Sequence, residues 1–196
     1  MPITLSKNQG ISLAKAAPAI VHARVGLGWN PRATDGAPFD LDASVLMCDS
    51  SGKAISDSHF IFYNQLQDTA GSVIHNGDNR TGEGDGDDES VDLYLDKIPA
   101  EVAKLAIVVS IDQPQARRQN FGMVADAYVR LFDAENEQDS TTLLFELNED
   151  ASTQTCILFA ELIREDGSWT FKAIGKGWPG VNDLGGVLAQ YGLVAS

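Results

Sequence analysis

VHARVGLGW, residues 21–29, alternates apolar residues with others. From Val21 onward, Ala23, Val25, Leu27 and Trp29 share one face, and His22 and Arg24 take the other. Successive side chains of a strand point to opposite faces, so a period of two marks a strand with one face in a core. The same period recurs outward from this stretch. Val91, Leu93 and Leu95 alternate with Asp92, Tyr94 and Asp96. Leu105, Ile107, Val109 and Ile111 alternate with Lys104, Ala106, Val108, Ser110 and Asp112, and Trp169, Phe171 and Ala173 with Thr170, Lys172 and Ile174. Other strand-like runs are DASVLMCD (42–49), HFIFYN (59–64), AYVRLFD (127–133) and TTLLFEL (141–147). TCILFAELIRE (155–165) starts apolar on both faces, as a central strand does. Turn signals at 50–53, 165–168 and Pro179-Gly180 separate the runs. About ten strands at such spacing predict an all-β fold, a β-sandwich of two mainly antiparallel sheets with a few short helices. KIPAEVAKL (97–105) and VNDLGGVLAQYGLV (181–194) are the helix candidates, and MPITLSKNQGISL (1–13) is expected to pair as a small edge hairpin. No linker rich in Pro or Ser divides the chain, so residues 1–196 read as one domain.

The 196 residues, 43% of them hydrophobic, are enough for a sizeable core. A net charge of −14 repels phosphate backbones and anionic membranes alike. It argues against nucleic acid and favours a cation or a basic partner. The N-terminus lacks a basic start followed by an apolar block, and no run approaches the roughly 20 apolar residues of a membrane helix. Cys48 and Cys156 lie inside apolar stretches with no CxxC, which predicts free buried thiols. A cytoplasmic protein with no membrane span is expected. The sequence has no P-loop, GxSxG or HExxH, and His22, His59 and His75 suit structural or exposed positions, so no enzyme activity is expected.

GDNRTGEGDGDDE (77–89) sets Asp78, Glu83, Asp85, Asp87, Asp88 and Glu89 against Arg80 alone. Two carboxylates held about 5 Å apart repel by roughly 3 kcal/mol at an effective dielectric near 20. Such a run therefore spreads out in solvent, or closes on a cation. Its glycines permit the positive φ that curls a chain around a point. Carboxylate, amide and carbonyl oxygens are hard ligands, so calcium comes first, then magnesium or manganese; zinc is disfavoured because the loop holds no His or Cys. The loop is not an EF-hand: counting from Asp78 puts Arg80 third, and counting from Asp85 puts Ser90 where glycine belongs. FDLD (39–42) adds Asp40 and Asp42, two apart and on one side of a strand start, with Leu41 on the other side. Asn64, before the loop, offers an amide oxygen.

GDNRTGEGDGDDE resembles the signature of the TerD family of bacterial tellurite-resistance and stress proteins. GLGWNPR, FDLDAS, FIFYNQ, FGMVADAYVRLFD and WTFKAIGKGW resemble family blocks in the same order, over roughly residues 1–193. The resemblance implies a calcium-binding β-sandwich without catalysis, in a system linked to tellurite resistance, phage inhibition and colicin tolerance. It also implies protein partners within that system, among them an integral membrane protein of the TerC type, and through it an association with the inner membrane. Carried over by position, the ligands are Asp40, Asp42, Asp78, Asn79, Asp85, Asp87, Asp88 and Glu89, with Gly82 and Gly84 giving carbonyls or turn geometry; the acid count permits two calcium ions. The other readings are a metal-dependent hydrolase built on the carboxylate cluster, a calcium-bridged membrane binder, and thiol chemistry on tellurite at Cys48 and Cys156.

Overall fold

The computed structural model describes residues 2–30, 38–80, 86–138, 141–147 and 152–194. Two six-stranded sheets face each other. The first runs β1 (Ile3–Thr4), β10 (Leu143–Glu146), β9 (Ala125–Asp133), β3 (His22–Asn30), β7 (Glu89–Tyr94), β6 (Val73–His75). The second runs β2 (Gly10–Ser12), β12 (Ser168–Gly177), β11 (Cys156–Glu165), β8 (Lys104–Ile111), β4 (Leu41–Cys48), β5 (Phe60–Ile61). Every pairing is antiparallel except β1 with β10. The all-β sandwich read from the period of two is therefore the observed fold.

The core lies where the apolar phases of both sheets meet. Ala23, Val25, Leu27 and Trp29 pack with Val91 and Leu93 from the first sheet, and with Leu105, Ile107, Val109 and Phe171 from the second. Val21 keeps the phase but precedes β3 and is half exposed. The run 155–165 does not alternate simply. A bulge between Leu158 and Ala160 shifts its register against both neighbours, so Ile157 and Phe159 point inward before it and Ala160 and Leu162 after it.

The second sheet is buried on its outer face too. α3 (Leu184–Gln190) is capped by Asp183, whose side chain accepts the Gly186 N–H at 2.8 Å. Leu184, Val187, Leu188 and Tyr191 recur at helical spacing and close over Leu46, Cys48, Ala106, Val108, Cys156 and Leu158. Trp178 stands edge-on to Tyr191, 6.2 Å between centroids, and covers this second cluster, whereas Trp29 and Trp169 are core residues. Both cysteines are free and buried here. Cys48 pairs with Lys104 and Cys156 with Ser110, six residues further along β8, which separates them by about 20 Å along the strands and rules out a disulfide.

Three expectations need correction. The N-terminal segment is not a hairpin: β1 joins the first sheet and β2 the second, so this segment bridges the sandwich. Residues 97–103 form turns without a helix, because the Arg164 guanidinium takes the Ile98, Pro99 and Val102 carbonyls that a helix would use. HFIFYN forms only the two-residue β5, preceded by a 3₁₀ turn over Asp57–His59, since the Gln65 side chain takes the carbonyls of Asp57 and Phe60. α1 (Leu13–Ala16) and α2 (Pro114–Arg117) were not anticipated. No helix among the described residues is long and apolar enough to cross a membrane.

Candidate metal centre

The acids alternate with apolar residues at the entry to β4. Phe39 and Leu41 enter the core, while Asp40 (4% exposed) and Asp42 (7% exposed) face away from it. β5 pairs only with Val45 and Leu46, so among the described residues the start of β4 has no strand on that side. Two side chains of the opposite sheet take its place. Glu89 Oε2 accepts the Ala43 N–H at 2.7 Å, and His75 Nε2 donates to the Ala43 carbonyl at 3.2 Å. A carbonyl only accepts, and Gly77 N–H points at His75 Nδ1 at 3.2 Å, so the imidazole is the neutral Nε2–H tautomer. Glu89 Oε1 also accepts the Asn79 N–H at 3.3 Å. These bonds lay residues 77–79 over the start of β4. One carboxylate oxygen from each of Asp40, Asp42 and Asp78 then lies within 4.8 Å of the others.

Oxygens this close can share one cation. Two oxygens sharing one ion at about 2.4 Å stand at most about 4.8 Å apart. The electrostatics call for a cation. Asp42 has no hydrogen bond or ion pair among the described residues, and burial, then Glu89, Asp40 and Asp78, push its carboxyl up to about 8. Asp40 is raised by burial, against the opposing pull of Arg117. Its Oδ1 is buried with no hydrogen-bond partner among the described residues. Its Oδ2 faces Arg117 Nη1 at 3.5 Å and Arg80 Nε at 3.6 Å. Asp112, at the end of β8, holds Arg117 Nη2 at 2.8 Å.

The last three loop acids have different neighbours. Asp87 lies across the outer face of β3 and accepts Arg130 Nε at 2.7 Å. The Tyr128 hydroxyl shares its proton between Asp87 Oδ1 at 3.1 Å and the Gly86 carbonyl at 3.0 Å, and burial with the Asp87 charge pushes its phenol up to about 12. Gly26 and Gly28 make room: a Cβ at Gly26 would strike the Asp87 carboxylate, and one at Gly28 the Tyr128 ring. Asp88 extends the β3 ladder. Its N–H donates to Leu27 O at 2.8 Å, its Oδ2 accepts the Trp29 N–H at 2.9 Å, and its Oδ1 accepts Asn79 Nδ2 at 3.3 Å. Burial raises both Asp88 and Glu89, opposed by these backbone donors and, at Glu89, by His75. A cavity of about 220 Å³ opens beside them, lined by Asp78, Asn79, Asp87, Asp88 and Glu89.

The structure thus gathers Asp40, Asp42 and Asp78, and sets Asn79, Asp87, Asp88 and Glu89 around the adjoining cavity. Asn64 is exposed in the turn after β5 and lines a different groove, with Phe62, Leu184 and Leu188. Gly82, Gly84 and Asp85 lie outside the described residues. Arg80, Asp112, Arg117 and His75 were missed as site residues. Asp112 continued the alternation of β8 beyond its apolar part, which was the one available signal.

The TerD domain matches residues 1–191 of the chain. The chain is 52% identical over 196 residues to the tellurium resistance protein TerD of Serratia marcescens, covering 100% of each. It is 44% identical over 194 residues to general stress protein 16U of Bacillus subtilis (strain 168), covering 98% of each. A solved structure of a homologue of telluride resistance protein (TerD) from Streptomyces coelicolor A3(2) superposes with a TM-score of 0.64 at 21% identity, over 82% of this chain and 91% of that one, and so shares the fold.

Proposed function

Because the chain belongs to the TerD family of tellurium-resistance and stress-response proteins, we propose that it is the calcium-binding module of such a system. Asp40, Asp42 and Asp78 hold the ion. The observation that carries this reading is Asp42: a carboxylate 7% exposed, beside two others, with no donor of its own among the described residues. Burying a charge without a partner is costly, and a divalent ion supplies the partner for three carboxylates at once. A second ion finds its oxygens in the adjoining cavity, from Asp78, Asn79, Asp88 and Glu89. Asp87 reaches across β3 and anchors the loop to β9 through Arg130 and Tyr128, and is not a ligand.

The role is binding, not catalysis. His75, the imidazole beside the acids, spends both nitrogens on Ala43 and Gly77 and offers no general base. Thiol chemistry on tellurite is disfavoured, since burial pushes both Cys48 and Cys156 up to about 12 and leaves little thiolate. Ion binding fixes Asp78 and Asn79 over the start of β4 and removes negative charge from one end of a chain of net charge −14. That end is then read by a protein partner, an integral membrane protein of the TerC type. Calcium calorimetry on metal-stripped protein tests the reading. Saturable binding with a dissociation constant on the order of 10⁻⁸ to 10⁻⁵ M is expected. No binding heat, with an unchanged melt at about 1 mM calcium, would overturn it.

A further inference from the structure

Two guanidiniums face Asp40 Oδ2, and they are held differently. Arg117 is 19% exposed, closes α2, and is anchored by Asp112 at 2.8 Å. Arg80 is 69% exposed, and Asp40 is its one ion-pair partner among the described residues, at 3.6 Å from Nε. That separation exceeds a hydrogen bond, and an exposed ion pair of this kind holds loosely. Arg80 also belongs to the same acidic loop as Asp78, the exposed member of the triad.

We infer that Arg80 is a tethered counter-cation of the acid triad: it competes with a divalent ion for Asp40, and ion binding frees its guanidinium at the surface. The inference rests on the calcium reading and adds a residue that sets the affinity. A divalent ion carries twice the charge of a guanidinium and approaches carboxylate oxygens to 2.3–2.6 Å, so it prevails at Asp40. Arg80 and the ion repel each other, and the exposed side chain can leave while Arg117 cannot. The departing guanidinium borders a cavity of about 290 Å³ lined by Pro38, Asp40, Arg80 and Arg117. Arg80 therefore weakens uptake of any cation. It selects ions able to outbid a built-in monovalent charge, and it converts ion binding into the appearance of a free positive group on an acidic protein.

The test is calcium calorimetry at low ionic strength on the metal-stripped full chain, comparing wild type, Arg80→Gln and Arg80→Lys. Arg80→Gln should bind calcium about five- to tenfold more tightly, as expected when one like charge is removed near the ion, and Arg80→Lys within about twofold of wild type. In parallel, the arginine Nε–H signal that is missing from the Arg80→Gln NMR spectrum should move, in wild type, toward the position of free arginine as calcium is added. Unchanged or weaker calcium binding in Arg80→Gln overturns this inference and leaves the calcium reading standing. Absence of calcium uptake by the wild type overturns both.

Discussion

Asp87 and Asp42 are both acids near one end of the sandwich, both largely buried, and they are buried in opposite ways. Asp87 has a guanidinium at 2.7 Å, a phenol at 3.1 Å and a trough over Gly26 that admits it. Asp42 has other carboxylates for neighbours and, among the described residues, no donor. The acid-dense loop is thus part clasp, at Asp87, and part proposed ligand set, at Asp78. Acid density by itself does not distinguish the two; the donors waiting in the folded chain do.

The contrast can be broken most forcefully at Asp42. Asp42→Asn should weaken calcium binding by about a thousandfold, roughly 4 kcal/mol, while Asp87→Asn should change it by less than about tenfold. Calorimetry on both variants decides it, and equal losses would erase the distinction. On the clasp side, Gly26→Ala should cost about 3 kcal/mol in urea unfolding, because its methyl would displace the Asp87 carboxylate from Arg130 and Tyr128. A cost under about 1 kcal/mol would mean that the clasp contributes little.

A pH titration sharpens the comparison further. The Asp42 carboxyl lies at about 8 in the folded chain against an ordinary value of 3.8. Between these values the folded state holds a proton that the unfolded state has lost, so Asp42 makes stability fall as pH rises from 3.8 toward about 8. Metal-stripped wild type should show this decline in urea midpoints, and Asp42→Asn should flatten it. Calcium needs the ionised carboxylate, so its affinity should instead rise with pH over the same window. The smallest expected effect is at the thiols. Cys48 and Cys156 should react with a thiol reagent in the native protein no faster than the chain opens, and rapid labelling of either would revive thiol chemistry.

The strands and the FDLD alternation were legible because a period of two is local: Asp40 and Asp42 share a side whatever β4 pairs with. The N-terminal segment was misread because each of its short strands is made by a distant partner, β10 for one and β12 for the other. The bulge at Leu158–Ala160 hid for a similar reason, since both phases of that stretch are apolar and α3 covers the outer one. Gly26 and Gly28 sat in plain view as a two-residue repeat, but their meaning depends on Asp87 and Tyr128 arriving from elsewhere.

From the sequence alone came the sandwich, the buried thiols, and a set of oxygen donors suited to a hard cation. These follow from side-chain chemistry and from a repeat spanning neighbouring residues. Which acids converge was decided only in three dimensions. His75 and Glu89 reach across from the first sheet to fill the gap that β5 leaves beside Ala43, and that bridge carries Asp78 to Asp40 and Asp42. Tertiary structure also set Asp87 apart as a clasp, because the donors that satisfy it belong to Tyr128 and Arg130, 41 and 43 residues away.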